Sequence, residues 1–207
     1  MQSPKARGHE RSRPTLGGRS VAIVVGVVVA IAAIVAVSVL AFGGKSSSKG
    51  SANVAAAMTA AGCTLHTYPS AGRGHITSLT PASPPKYNSF PPTSGKHYYI
   101  PSVWGSYDTP VSEYQAIHNL EHGGVIIQYG SGVSKDTIAK LGVFYQSDPV
   151  ALLVAPLPKL GNKVALTAWT HLALCTDFDE AAFKAFRDAY RYHGPEKFPP
   201  SALQPGT

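Results

Sequence analysis

Five consecutive residues, His118-Asn119-Leu120-Glu121-His122, carry the side chains best suited to chemistry. On a helix, His118 and His122 are four residues apart, so both imidazoles project from one side. Glu121 falls on the same side, which gives the H-x-x-E-H pattern of two histidine ligands and a glutamate that activates metal-bound water. Gly123-Gly124 is also typical of a helix end, where a histidine is favoured by the exposed carbonyls. The motif therefore predicts either a metal site or a polar helix cap.

Two further histidines could complete a metal site. Residues 90–97 form a Pro-Pro segment that is predicted to be stiff and extended, to turn at Ser94-Gly95 and to present His97. His75 lies in a polar loop, where a solvated histidine is the simpler interpretation. Three or four imidazoles suit Zn²⁺ or Cu²⁺. We predict that the metal ligands are His97, His118, His122 and His75, with Glu121 as an alternative fourth ligand.

The same motif fits a zinc hydrolase. In that arrangement His118 and His122 bind Zn²⁺, Glu196 is the third ligand and Glu121 is the general base. Glu196 follows the last predicted helix in a Gly-Pro-Glu sequence, where an exposed acid is unremarkable. We therefore favour binding over catalysis, and an enzyme remains an alternative.

A third interpretation has no metal. In a structural or interaction module of the cell envelope, Glu121 hydrogen-bonds His97 or Ser94, and Trp104 and Tyr107 pack beneath the loop. The two non-catalytic interpretations differ in geometry. Convergence of three imidazole nitrogens within about 2 to 2.5 Å of one point favours a metal, whereas hydrogen bonds from Glu121 favour the structural module.

One uninterrupted apolar run extends from Val21 to Phe42, between Arg19 and Lys45. This length can span a bilayer, although a cleaved signal peptide is an alternative. The residues before the run are rich in arginine, which predicts a cytoplasmic N-terminus. The predicted organisation is a cytoplasmic disordered tail (1–19), a transmembrane helix (20–42), a flexible linker (43–62) and an extracytoplasmic domain (63–207). Within the linker, the alanine-rich stretch Asn53–Ala61 could form a short helix or an ordered extension.

The net charge of +7 does not indicate nucleic-acid binding. After Gly62 there are eleven Lys and Arg against ten Asp and Glu, so the basic excess lies near the apolar run and is a topology signal. The partners predicted are the membrane and an unidentified envelope protein. Cys63 and Cys175 are the two cysteines, and an oxidising compartment outside the membrane predicts that they form a disulfide.

The pattern after Gly62 predicts an α+β domain with a small mixed sheet, two or three helices and an irregular, Pro-rich first half. The irregular half follows from prolines between Pro81 and Pro110, which exclude long helices and central strands. Helices are predicted at 112–122, at 134–145 and after Asp177, where Glu180 would complete a capping box and Gly194-Pro195 would end the helix. Strands are predicted at 125–129, 151–155 and 164–174.

Several motifs, spread in order over both halves of the domain, resemble those of a bacterial family, domain of unknown function 3105. The motifs are Pro91-Pro92-Thr93-Ser94-Gly95-Lys96-His97, Trp104-Gly105-x-Tyr107, His118-x-Leu120-Glu121-His122-Gly123-Gly124-Val125, Thr167-Ala168-Trp169 and Gly194-Pro195-Glu196. The resemblance implies a membrane-anchored or secreted protein and places His97, His118, Glu121 and His122 in the family's motif set, together with His75. It implies no activity. His171 stands where the family pattern more often has arginine, so it is a poor candidate for an essential ligand.

Overall fold

The central sheet is built from short apolar strands. In the computed structural model, which describes residues 46–207, the strands are β1 (Thr64–Thr67), β2 (His75–Ile76), β3 (His97–Tyr98), β4 (Val125–Tyr129), β5 (Leu152–Pro156), β6 (Val164–Ala168) and β7 (His171–Cys175). Five of them are hydrogen-bonded in the order β1-β7-β6-β4-β5, with β4 and β5 parallel and the other pairs antiparallel. A separate pair, β2 and β3, is parallel.

Four α-helices accompany this sheet within residues 46–207, rather than the two or three predicted. They are α1 (Ser46–Ala60), α2 (Glu113–Glu121), α3 (Lys135–Ser147) and α4 (Glu180–Tyr190), and short 3₁₀ turns lie at Pro158–Leu160 and Pro200–Ala202. The predicted α+β class with a mixed sheet is confirmed. Strands β1 to β3, which belong to the irregular half, are too short to show an alternation of apolar and polar residues in the sequence.

The two faces of the sheet have different neighbours. Along β4, Val125 and Ile127 belong to a core cluster with residues of α1, α3 and α4. Ile126, between them, packs in a second cluster with Trp104 and with Leu120 of α2. This alternation is expected of a strand buried on both faces. Helix α2, which carries the H-x-x-E-H motif, therefore lies across the sheet from the other three helices.

The predicted flexible linker at 43–62 contains a helix, as the alternative for Asn53–Ala61 allows, and the helix begins earlier than that stretch. Residues Ser46–Ala60 form helix α1, and Val54 and Met58 are buried in the core cluster beneath it. Glycine and serine dominate the composition before Ala52, but the alanine-rich remainder has high helix propensity and two apolar side chains on one face. Burial of those side chains fixes the helix.

None of the helices between Ser46 and Thr207 is long and apolar enough to cross a membrane. The predicted transmembrane helix at 20–42 and the predicted tail at 1–19 lie outside the described residues.

The predicted disulfide is confirmed, because Cys63 and Cys175 are bonded to each other. Strand β1 pairs with β7 so that Thr64 lies opposite Leu174. Continuing that antiparallel register by one residue places Cys63 opposite Cys175. The bond thus closes the end of the ladder that attaches the edge strand β1 to the sheet.

The start and the end of α4 differ from the prediction. The N-cap is Asp179, whose carboxylate accepts a hydrogen bond from the backbone N–H of Ala182. Asp177 instead accepts from the Thr137 hydroxyl of α3 and from the N–H of Phe178. The helix ends at Tyr190, before Gly194, because the chain turns there to pack against the end of α2. Two Asp residues in one turn made the cap ambiguous from sequence.

Close packing at the end of α2 explains the Gly-Gly sequence that follows it. A Cβ on Gly124 would lie 2.1 Å from Cη2 of Trp104, and one on Gly194 would lie 2.3 Å from the carbonyl oxygen of Glu121. Gly123 has a φ of +89°, which favours glycine. The indole ring and the 192–196 segment therefore reach the helix end only because side chains are missing there.

We expect Gly124→Ala to lower the free energy of unfolding by at least about 2 kcal/mol, since the new methyl group overlaps a buried indole that cannot move without opening the second core cluster. The matched control is Gly142→Ala in α3, where an added Cβ meets nothing within 4 Å. That change is expected to stabilise the protein by about 0.5 to 1 kcal/mol. Urea unfolding of both variants measures the difference, and equal effects would contradict the packing described.

A partly buried acid at the start of α2, Glu113, gives the fold a dependence on pH. Burial raises the pKa of Glu113 to about 7, against the lowering effects of its hydrogen bond from Gln128 and of Lys159. A carboxyl group whose pKa is higher in the folded state destabilises that state as pH rises from its unfolded value near 4.5 to about 7. Below that range both states are protonated, and no cost remains.

We therefore expect Glu113→Gln to stabilise the protein by about 2 kcal/mol at pH 8 and by nothing at pH 4. The glutamine keeps an oxygen for the Gln128 donor and removes the buried charge. Urea unfolding of both proteins at the two pH values gives the comparison. A gain that is the same at both would show that the carboxylate is not responsible.

Candidate metal centre

The small sheet of β2 and β3 brings two of the predicted histidines side by side. His75 lies opposite His97 in the parallel register. The N–H of His97 donates to the carbonyl of Gly74 at 2.9 Å, and the N–H of Tyr99 donates to that of Ile76 at 3.2 Å. The Pro-Pro segment thus delivers His97 to a strand whose partner carries His75, although the two residues are far apart in the chain.

Two side chains of α2 hold the helix against β3 and the loop after it. Nδ1 of His118 lies 2.8 Å from the carbonyl oxygen of Tyr98. Asn119, fully buried, accepts from the N–H of Ser102 at 2.9 Å and donates to its carbonyl at 2.8 Å. The side-chain amide of Asn119 thus bonds to both backbone groups of Ser102, as the backbone of a neighbouring strand would. The helix and the strand therefore have a fixed relative position, and so do the histidines that they carry.

Three imidazoles converge in this arrangement. The ring centroids are 4.8 Å apart for His75 and His97, 4.8 Å for His97 and His118, and 5.1 Å for His75 and His118. Imidazoles bound to one tetrahedral ion through nitrogens at about 2.0 to 2.1 Å would have centroids about 5 Å apart. The spacing of the three rings therefore matches a shared metal ion.

The hydrogen bonds of two rings leave the metal-binding nitrogen free. Nδ1 of His97 lies 2.8 Å from the carbonyl oxygen of Gly95, and Nδ1 of His118 is bonded to that of Tyr98. A carbonyl oxygen only accepts, so Nδ1 donates in both rings, and Nε2 of the neutral ring keeps its lone pair. A backbone carbonyl bonded to the second nitrogen is the usual support of a histidine ligand.

Glu121 completes the group from the last turn of α2. Its side chain is 2% exposed, and Oε2 lies 2.9 Å from Nε2 of His97 and 3.6 Å from Nε2 of His75. Oε1 lies 3.7 Å from Nε of Arg73, which is half-exposed. The ligand atoms of His75, His97, His118 and Glu121 all lie within 4.8 Å of one another, and we call these four residues the inner cluster.

The inner cluster contains two buried polar atoms that the protein does not satisfy. Among the described residues, neither Nε2 of His97 nor Oε2 of Glu121 has a hydrogen-bond partner, despite their separation of 2.9 Å. With the His97 proton on Nδ1, both are acceptors that face each other. Leaving such groups unpaired in the interior costs free energy, and a bound cation satisfies both at once. The residues therefore fit a metal ion.

Burial also favours the neutral, metal-binding form of His118. Its pKa is lowered mainly by desolvation and further by His97 and His75, while the Tyr98 carbonyl and Glu121 act in the opposite direction. A neutral imidazole is the form that binds metals.

His122 does not join the other three predicted histidine ligands. It follows the last residue of α2, and its Nε2 lies 3.3 Å from Oε2 of Glu196. His118, His122 and Glu196 form a second group with ligand atoms within 4.8 Å, and we call it the outer triad. Desolvation, followed by the effect of His118, lowers the pKa of His122 to about 4. The four histidines are thus divided between two groups that share His118.

The predicted zinc-hydrolase ligands therefore lie together in the outer triad. The predicted base, Glu121, is instead buried among the histidines of the inner cluster. His171 lies elsewhere, stacked on Tyr190 at 4.0 Å, with Nδ1 near the Thr67 hydroxyl.

The predicted supporting residues position backbone rather than Glu121. Ser94 accepts a hydrogen bond from the N–H of Ala71 in the loop before β2. Trp104 packs against Gly124 at the end of α2, and the Tyr107 hydroxyl donates to the Val103 carbonyl. Sequence reasoning missed Asn119 and Arg73. The signal available for Asn119 was its position inside the motif, on a side of the helix that carries neither the apolar residues nor the predicted ligands.

The fold and the inner cluster define a class of protein, namely a disulfide-closed α+β domain with a candidate His₃Glu metal centre between a helix and a two-stranded sheet. The chain belongs to the family described as Protein of unknown function (DUF3105), whose sequence model matches residues 79–202. That range includes His97, His118, Glu121, His122 and Glu196, and begins four residues after His75. Searches of curated proteins and of solved structures found no match.

Proposed function

We propose that this protein binds one divalent transition-metal ion in the inner cluster. The observation that carries the proposal is the pair of buried atoms, Nε2 of His97 and Oε2 of Glu121, which lie 2.9 Å apart and have no hydrogen-bond partner among the described residues. The ligand atoms of these two residues lie within 4.8 Å of those of His75 and His118, which supports one ion bound by all four side chains.

The donor set favours Zn²⁺ or Cu²⁺. Imidazole nitrogens suit both ions, and a carboxylate is compatible with either. Cu⁺ prefers thiolate or thioether ligands, which are not part of the inner cluster. Both cysteines are bonded to each other, so neither supplies a thiolate. Four protein ligands also favour a stable binding site over an open catalytic one.

The alternative of a metal-free structural module requires hydrogen bonds from Glu121. The carboxylate lies 2.9 Å from Nε2 of His97, where a hydrogen bond requires a second proton on that ring, and its contact with Arg73 is longer than a hydrogen bond. An arrangement of this kind stabilises the fold poorly without a cation. Metal binding is therefore the better-supported function.

We further propose an extracytoplasmic location, with the apolar run at 20–42 as a membrane anchor. The Cys63–Cys175 disulfide supports an oxidising compartment. The length of the run and the basic residues before it support a single span with a cytoplasmic N-terminus. Protease protection in spheroplasts, with an antibody to each end of the chain, tests this orientation.

Elemental mass spectrometry of the full-length protein, purified without a histidine tag, tests metal binding. We expect about one equivalent of zinc or copper per chain after loading and desalting, and loss of that metal in His75→Ala. His75 is suited to this test because its half-exposed side chain contributes little to the core. The matched control is His66→Ala, an exposed residue of β1 outside both groups. A protein that cannot be loaded would exclude the proposed function.

A further inference from the structure

The outer triad lies next to the inner cluster and has the donors of a metal site in its own right. Two imidazoles and one carboxylate, from His118, His122 and Glu196, lie within 4.8 Å of one another. The side chains of His122 and Glu196 are 13% and 38% exposed, so this group is more accessible than His97 and Glu121.

The position of Glu196 is set by backbone contacts with the end of α2. Its N–H donates to the carbonyl of Glu121 at 3.1 Å, and the N–H of Tyr192 donates to that of Gly123 at 2.6 Å. Gly194 lies too close to α2 to carry a side chain. The fold therefore holds the backbone of Glu196 against the end of α2, and its carboxylate lies 3.3 Å from Nε2 of His122. On its other side, His122 packs against Phe198 with centroids 4.1 Å apart.

The shared residue makes the two groups interdependent. His118 belongs to both, and its Nδ1 is committed to the Tyr98 carbonyl. Only Nε2 is left to bind a metal, and one lone pair binds one ion. An ion in the inner cluster therefore leaves the outer triad with two ligands, and an ion held by the complete outer triad withdraws His118 from the inner cluster.

We infer that the outer triad is a second, weaker position for the same divalent ion, in competition with the inner cluster through His118. This inference rests on the proposed metal-binding function and adds an exchange position to it. Three ligands with a partly exposed carboxylate bind less tightly than four with a buried one. The protein then holds one ion at a time, which the outer triad can accept or release on the side of Glu196.

Zinc titration of the full-length protein against a chromophoric chelator tests the inference. Wild type is expected to bind one equivalent, not two. Disabling the inner cluster with His75→Ala and Glu121→Gln, which change a half-exposed side chain and an isosteric one, should leave one equivalent bound at least about 100-fold more weakly. Adding Glu196→Gln should abolish this remaining binding, whereas adding Glu180→Gln, at an exposed acid of α4, should not.

The outcomes separate the two proposals. Wild type without zinc would overturn the proposed function. Wild type with one equivalent, together with an inner-cluster variant that binds none or whose remaining zinc does not depend on Glu196, would overturn only the outer triad. Two independent equivalents in wild type would contradict competition through His118. Circular dichroism of each variant confirms that the fold is retained.

Discussion

Glu121→Gln is expected to lower the affinity for Zn²⁺ by at least about 100-fold and, at the same time, to stabilise the metal-free protein by about 1 kcal/mol. The loss of affinity follows from removal of an anionic ligand. The gain follows because the buried carboxylate lies against Nε2 of His97, which in the neutral ring is an acceptor, while an amide in its place has no charge and can donate.

Glu121→Gln is thus expected to weaken metal binding while it stabilises the metal-free protein. These two opposite effects distinguish a metal ligand from a structural residue. If Glu121 stabilised the fold through hydrogen bonds, the same substitution would weaken the metal-free protein, because a buried acceptor would be exchanged for a mismatched amide. Isothermal titration with Zn²⁺ gives the affinity, and urea unfolding in the presence of EDTA gives the stability. Glu180→Gln is the control for removing one negative charge, and it should change neither the affinity nor the effect of EDTA.

Loss of the disulfide is expected to lower the free energy of unfolding by about 4 to 5 kcal/mol, which is the chain-entropy value for a closed loop of roughly 100 residues. The bond joins residues separated by 112 positions. It also closes the ladder between β1 and β7, so its loss should release β1 from the edge of the sheet before the rest unfolds.

Urea unfolding of wild type with and without dithiothreitol, and of the Cys63→Ser/Cys175→Ser double variant, measures this contribution. The double variant should match reduced wild type and should not respond to the reductant. Hydrogen exchange should show lost protection at Thr64–Thr67 in both. Equal stability of oxidised and reduced wild type would show that the bond adds nothing to the folded chain.

Most of the regular half of the domain could be predicted from the sequence because its signals are local, but the predicted strand at 164–174 is instead the antiparallel pair β6 and β7. Ser134 caps α3 as expected, with its hydroxyl oxygen accepting from the N–H of Thr137. The apolar run of β4 and the aromatic face of α4 mark elements that bury a continuous surface. Where two local signals competed, as with Asp177 and Asp179 before α4, tertiary contact with Thr137 decided the outcome.

The site could be predicted only in part, because its completion depends on distant contacts. Motif spacing identified His118, Glu121 and His122, but spacing on one helix gave no means to separate His122 from the inner cluster. That separation arises where α2 ends and the 192–196 segment packs against Gly123. The pairing of His75 with His97 depends on a two-residue parallel sheet, and so short a strand has no sequence pattern of its own.

X-ray absorption at the zinc edge of the loaded full-length protein identifies the ligands of the bound ion. We predict four nitrogen or oxygen neighbours at about 2.0 to 2.1 Å, no sulfur, and multiple scattering from three imidazoles. Scattering from two imidazoles would place the ion in the outer triad instead. A spectrum of hexahydrated zinc without imidazole would contradict a metal centre in this domain.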